Sequence, residues 1–124
     1  MRQLRNAHAH VQLAKALVTV GRSREALAHL QRAVQIDPNE EEVHYHIGVL
    51  LMDSDPGTAQ MAFLETIRIN PENFKACNNL GLLLMHLNRY TEAEAQFQRA
   101  LELNPRDRIV IENLELLRKR SGRL

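Results

Sequence analysis

Three Asx-Pro steps close helical patterns in this chain: Asp37-Pro38, Asn70-Pro71 and Asn104-Pro105. Their prolines stand 33 and 34 residues apart. Twelve residues before each proline lies an alanine, Ala26, Ala59 or Ala93. Eight before it lies a large apolar residue, Leu30, Phe63 or Phe97, and five before it a small one, Ala33, Thr66 or Ala100. Further upstream come Leu13-Ala14, Ile47-Gly48 and Leu80-Gly81, followed three residues later by Leu17, Leu51 and Leu84. A unit of this length is a supersecondary element that cannot bury its apolar face alone, so copies must stack.

The spacing inside each copy is helical. Leu80, Leu83, Leu84 and Leu87, or Leu13, Ala16, Leu17 and Val20, recur at intervals of three and four. Each proline disfavours αR at the residue before it, which ends the second helix of each copy there. Gly21, Pro56-Gly57 and Asn88 interrupt the pattern within the copies and predict turns. Thr91 with Glu94 forms a capping box expected to open a helix. Gly48 and Gly81 fall mid-helix, where glycine costs about 1 kcal/mol relative to alanine. That cost is tolerable where a neighbouring helix must approach closely, and Ala26, Ala59 and Ala93 are the expected partners. With aromatics at 4% and no Trp, the core must come from Leu, Ile, Val, Ala and Met, a supply that favours helix over sheet.

The register resembles the tetratricopeptide repeat, whose 34-residue signature runs W-x2-L-G-x2-Y, then A-x3-F, then P. The resemblance implies an all-α solenoid of antiparallel helix pairs wound into a right-handed superhelix. It divides the chain into an N-terminal segment 1–6, repeats at 7–40, 41–73 and 74–107, a capping helix 108–120 and a tail 121–124. The chain departs from the signature at the Trp site, which holds His10, His44 and Cys77, and at the Tyr site, which holds leucine. The second repeat has lost one residue in its turn, within MDSDPGT. At the C-terminus, Asp107 can cap a last helix whose apolar side draws on Ile109, Val110, Ile111, Leu114 and Leu117. Such a helix solvates the end of a solenoid. The first helix has small and apolar residues over much of its surface. The first six residues cover it, or the chain is part of a longer array, or that face self-associates.

Charge is uneven along the chain although the net value is only +1. Residues 1–36 carry +5, residues 37–72 carry −7 and residues 73–124 carry +3. This reads as solvated helix faces, or as a bipolar surface that orients a charged ligand. No apolar run approaches the roughly 20 residues that span a bilayer. The N-terminus lacks the apolar core and cleavage site of a signal peptide. A single cysteine, Cys77, favours a reducing compartment, so a cytoplasmic location is expected. Neither a phosphate loop, a nucleophile elbow nor a paired-Cys metal pattern is present, so no catalysis and no cofactor are expected. His8 and His10, like His44 and His46, are two residues apart and point about 200° from each other on a helix, which prevents shared chelation. His10, His44 and Cys77 read as packing residues, while His46 stays open for contact.

In the family, the first helix of each pair lines a concave groove. Once the packing positions are assigned, periodicity leaves His8, Val11, Gln12, Lys15, Val18 and Thr19 facing it in the first repeat. Glu42, Tyr45, His46, Val49 and Met52 do so in the second, and Lys75, Asn78, Asn79, Leu82, Met85 and His86 in the third. Glu112, Asn113, Leu116 and Lys119 continue the stripe on the capping helix. The row Gln12, His46, Asn79 and Asn113 can pair with the backbone of an extended peptide, because amides both donate and accept. Asparagine at the site of Asn79 holds ligand backbone in similar repeats, by that resemblance. Val11, Val18, Tyr45, Val49, Leu82 and Met85 are the expected apolar anchors.

Lys75 and Asn79 also resemble two members of a carboxylate clamp for acidic chaperone tails. Glu42 is acidic where that clamp needs a neutral or basic residue. The expected function is therefore a non-catalytic adaptor or scaffold binding a peptide or protein segment. The alternatives are a scaffold self-associating by its end faces, or a regulatory fragment of a larger protein. A nucleic-acid partner would need a basic groove, which Glu42 opposes, and membrane insertion is not expected.

Overall fold

The structure, a computed structural model, describes residues 2–122. Arg123 and Leu124 of the expected tail, and Met1 of the expected N-terminal segment, lie outside the described residues. The described residues form seven α-helices and no strand. The chain divides into two compact units, Met1–Ile69 and Asn70–Leu124. The first holds α1 (Arg2–Thr19), α2 (Ser23–Ile36), α3 (Glu41–Leu51) and α4 (Pro56–Ile69). The second holds α5 (Phe74–His86), α6 (Tyr90–Leu103) and α7 (Arg108–Ser121). α1 starts at Arg2, so the helix already runs through most of the segment expected to precede the first repeat.

The Asx-Pro steps do end the second helices. α2 stops at Ile36 with Asp37 as C-cap, α4 stops at Ile69, and α6 stops at Leu103 with Asn104 as C-cap. The Asp37 and Asn70 side chains then accept bonds from the amides of Asn39 and Glu72, each at 3.1 Å, which folds the chain into an Asx turn. Between the helices of a pair, Gly21 (φ 82°) and Asn88 (φ 62°) occupy the same repeat position in left-handed backbone. Both residues tolerate that region. The residue missing from the second repeat comes from this turn. α4 instead opens directly at Pro56, the favoured first helical position for proline. Asp55 caps it, accepting from Thr58 N at 3.2 Å and from Thr58 Oγ1 at 2.7 Å. Pro56-Gly57 is thus the first turn of a helix and not a break between helices.

In the first unit Ala7, Val11, Ala14 and Leu17 of α1 pack on Ala26, Leu30 and Ala33 of α2 and on Val43 of α3. Phe63, Ala59, Ala62 and Thr66 line the buried side of α4. Thr66 satisfies its hydroxyl by donating to the carbonyl of Ala62 at 2.9 Å. In the second unit α5 buries Ala76, Cys77, Leu80, Leu83, Leu84 and Met85, α6 buries Ala93, Phe97 and Ala100, and α7 buries Val110, Leu114 and Leu117. Full burial of a side chain such as Phe97 is worth about 1.5–3 kcal/mol.

Several packing assignments change. The mid-helix glycines do face a crowded neighbour, but it is an aromatic ring and not an alanine. A Cβ on Gly48 would lie 2.6 Å from the Phe63 ring, and one on Gly81 2.6 Å from the Phe97 ring. Val11 and Met85, expected as ligand anchors, are buried at 1% and 0% exposure, because each lies on the side of its helix that meets the second helix. Leu13, expected inside, is 45% exposed. On α7 the apolar side is Val110, Leu114 and Leu117, while Ile109 and Ile111 are exposed. Asp107 caps α7 as expected, accepting from Val110 N at 3.0 Å. α6, however, begins at Tyr90 with Arg89 at the N-cap and no side-chain cap there, so Thr91 already lies inside the helix.

Candidate functional site

In the first unit the candidate residues sit on α1 and α3. Gln12 is exposed, Val49 is exposed, and Glu42, Tyr45 and His46 are half-buried. Lys15 forms an ion pair with Glu42 across the two helices. His46 lies one turn after Glu42, its Nε2 at 3.7 Å from Glu42 Oε1. Burial pushes the Glu42 carboxyl up, but the hydrogen bond and charge of Lys15, together with the nearby His46 and His8, outweigh it and the net shift is downward. Burial also pushes the His46 imidazole down against the pull of Glu42, and the net shift is downward. The charges of Lys15 and Glu42 cancel within their pair. Partial exposure of both side chains keeps the pair in the range of about 0–1 kcal/mol. Tyr45 leans edge-on against both His46 and Phe63, with ring centroids 5.3 and 6.1 Å away.

Between α1 and α3 opens a cavity of about 130 Å³ that the sequence did not suggest. Ala14, Val18, Leu30, Val49 and Leu50 form its apolar wall, and Lys15 and His46 stand with them.

In the second unit the candidates sit on α5 and α7. Lys75 and His86 are exposed, and Asn78, Asn79, Leu82 and Asn113 are half-buried. Asn113 Nδ2 donates to Asn78 Oδ1 at 2.9 Å, joining the two helices. That pair leaves the Asn78 amide hydrogens and the Asn113 carbonyl for further bonding. The amide row thus resolves differently from its sequence register, since Asn113 pairs with Asn78.

His10, His29, His44 and the thiol are accounted for by packing and local bonding. His10 is half-buried, not buried: its Nδ1 lies 2.9 Å from His29 Nδ1, with the rings stacked at 5.1 Å. Burial, His29 and Arg32 together push its pKa down. His44 is likewise half-buried, with its Nε2 2.8 Å from the carbonyl of Pro38. Cys77 is buried as expected, and burial pushes its thiol up. Among the described residues no group of three or more His, Cys, Asp or Glu could hold a metal ion. No described helix is long and apolar enough to cross a membrane.

Antiparallel helix pairs on a period of 33 to 34 residues, closed by a single helix, define a helical-repeat protein. The family model described as Tetratricopeptide repeat matches residues 74–107, and a second, described as TPR repeat, matches residues 14–54. The chain belongs to the tetratricopeptide repeat family, whose fold serves protein–protein interaction. It is 30% identical over 115 residues to the type IV pilus assembly protein PilF of Pseudomonas aeruginosa, covering 88% of this chain and 44% of that protein. It is 28% identical over 101 residues to anaphase-promoting complex subunit 3 of Schizosaccharomyces pombe, covering 77% and 15%. The chain spans less than half the length of these curated relatives. Among solved structures, the first TPR of Spaghetti (RPAP3) bound to HSP90 peptide SRMEEVD superposes with a TM-score of 0.91. The identity is 17%, over 95% of this chain and 94% of that one. The Arabidopsis OM64 TPR domain matches with a TM-score of 0.91 and 19% identity, over 95% and 98%.

Proposed function

We propose that the chain is a non-catalytic adaptor that binds peptide or protein segments on the faces of its first helices, α1 with α3 and α5 with α7. The observation that carries this reading is the Asn78–Asn113 amide pair, flanked by exposed Lys75 and His86 and half-buried Leu82. It offers donors and acceptors beside apolar surface, the combination that suits a peptide backbone with hydrophobic side chains. The likeness to a fold that holds an HSP90 peptide supports a peptide as the kind of ligand. An acidic tail is disfavoured in the first unit, where Lys15 is paired with Glu42. The pairing of Lys15 with Glu42, which leaves no unopposed lysine there, also supports a protein ligand over nucleic acid. A cytoplasmic location fits the lone buried thiol.

The test is affinity capture from native lysate, followed by measurement of the captured partner against the Lys75→Ala/Asn79→Ala variant. A loss of about 2 kcal/mol or more marks these as energetic centres of the contact. Unchanged affinity with intact helicity moves the site elsewhere.

A second reading, self-association through an end face, rests on α1. Ala9, Leu13, Ala16 and Val20 form an exposed stripe. The first three stand at the repeat positions where Ala76, Leu80 and Leu83, and again Val110, Leu114 and Leu117, are buried. Sedimentation over a range of concentrations tests it, because a strict monomer throughout removes this reading.

A further inference from the structure

We infer that the first unit carries a socket for one phenylalanine side chain of a bound peptide, a site that rests on the proposed use of the α1–α3 face. The corresponding space is filled elsewhere in the chain. In α3–α4 and α5–α6 the helices are separated by a phenyl ring set against a glycine, Phe63 on Gly48 and Phe97 on Gly81. In α1–α2 the same two positions hold Leu30 and Ala14. One turn beyond the glycine site, α5 has Met85, fully buried, and α1 has Val18, 43% exposed. Ring and thioether are thus both replaced by shorter side chains in the first repeat. The cavity of about 130 Å³ lies against these residues, with Ala14, Val18 and Leu30 on its wall.

Its size and chemistry select the occupant. An apolar cavity of about 150 Å³ stays dry and takes up benzene, so a space of this size suits a phenyl ring. The polar groups at the wall are Lys15, paired with Glu42, and His46, whose Nε2 lies 3.7 Å from Glu42 Oε1. A charged or amide side chain entering here would give up water without a dedicated partner. A shorter aliphatic chain would leave part of the space empty.

The experiment titrates N-acetyl-phenylalanine amide, with N-acetyl-glutamine amide as control, into the isotope-labelled full chain and follows amide shifts. Expected are saturable shifts confined to α1, α2 and α3 with the phenylalanine probe alone. The variant Ala14→Gly/Leu30→Phe rebuilds the glycine–phenyl pair and should weaken that binding about 10-fold or more, with no loss of unfolding midpoint. Should that core change disturb folding, Val18→Met plugs the same space from the exposed side, as Met85 does in α5. Absence of saturable shifts in the native chain, or undiminished binding to a folded plugged variant, overturns the socket. A captured partner that loses affinity with Lys75→Ala/Asn79→Ala but binds the folded plugged variants normally sinks the socket while leaving the adaptor reading in place. Probe binding that persists while the partner ignores α1, α3, α5 and α7 substitutions sinks the adaptor reading instead.

Discussion

Gly81 shows how finely a single residue is set here. Adding a methyl would restore helix propensity worth about 1 kcal/mol, yet its Cβ would meet the Phe97 ring at 2.6 Å. Overpacking a rigid ring in a buried site costs about 1–3 kcal/mol, and the ring cannot swing out because Phe97 is fully buried. Gly81→Ala should therefore lower stability by about 1–2 kcal/mol in urea unfolding. Gly81→Ala/Phe97→Leu, which copies the Ala14–Leu30 pair, should relieve the clash and show coupling of about 0.5–3 kcal/mol in a double-mutant cycle. The need for a small residue at Gly48 and Gly81 was legible in the sequence, but the neighbour was not. Periodicity assigns a residue to a face of its helix, and it does not say how far a side chain on the next helix reaches. The same limit hid the socket, although the substitutions Ala14 for glycine and Leu30 for phenylalanine were visible in the register. Val11 and Met85 were misplaced for a related reason, since periodicity does not show how wide a side of the first helix the second one covers.

At the scale of elements, boundaries followed from chemistry where a side chain fixes them. Asn73 and Asp107 each cap a helix by accepting from the amide three residues on, at 3.0 Å. Removing the latter, as Asp107→Ala, should cost about 1 kcal/mol. The loss should be read as faster amide exchange in the first turn of α7. Thr91–Glu94 misled because a capping-box pattern is only local, whereas α6 is started by the turn through Asn88 at positive φ. That turn fixes the entry to Tyr90 before Thr91 is reached. The buried side of α7 was half legible. The expected side took in Ile109 and Ile111, which stand two residues apart and point about 200° from each other, whereas the buried side is Val110, Leu114 and Leu117, spaced by four and three.

For the whole molecule, the alternating charge of the sequence is softened by pairing. Glu25, Glu65, Glu92 and Glu102 are each joined to an arginine three residues away. Glu42 of the acidic stretch meets Lys15 of the basic one. Exposed pairs of this kind add little stability, but they leave the candidate faces governed by amides and apolar groups. The fold class was legible because three copies of one register constrain it together. The ligand-facing surface was less so, because a repeat pattern records what must be buried and leaves exposed positions free to vary.

The lone thiol turns this architecture into a clock. Cys77 lies sealed in the second unit, and burial disfavours its reactive thiolate. A disulfide reagent can reach it only when that unit opens, so the labelling rate counts openings without any added probe. The native chain should label slowly. Gly81→Ala, if it costs about 1–2 kcal/mol, should speed labelling by roughly 5- to 30-fold where closing outpaces reaction. Gly48→Ala, whose Cβ would lie 2.6 Å from the Phe63 ring, destabilises the first unit without altering α5 or α6, so labelling in this variant reads whether the two units open together or apart.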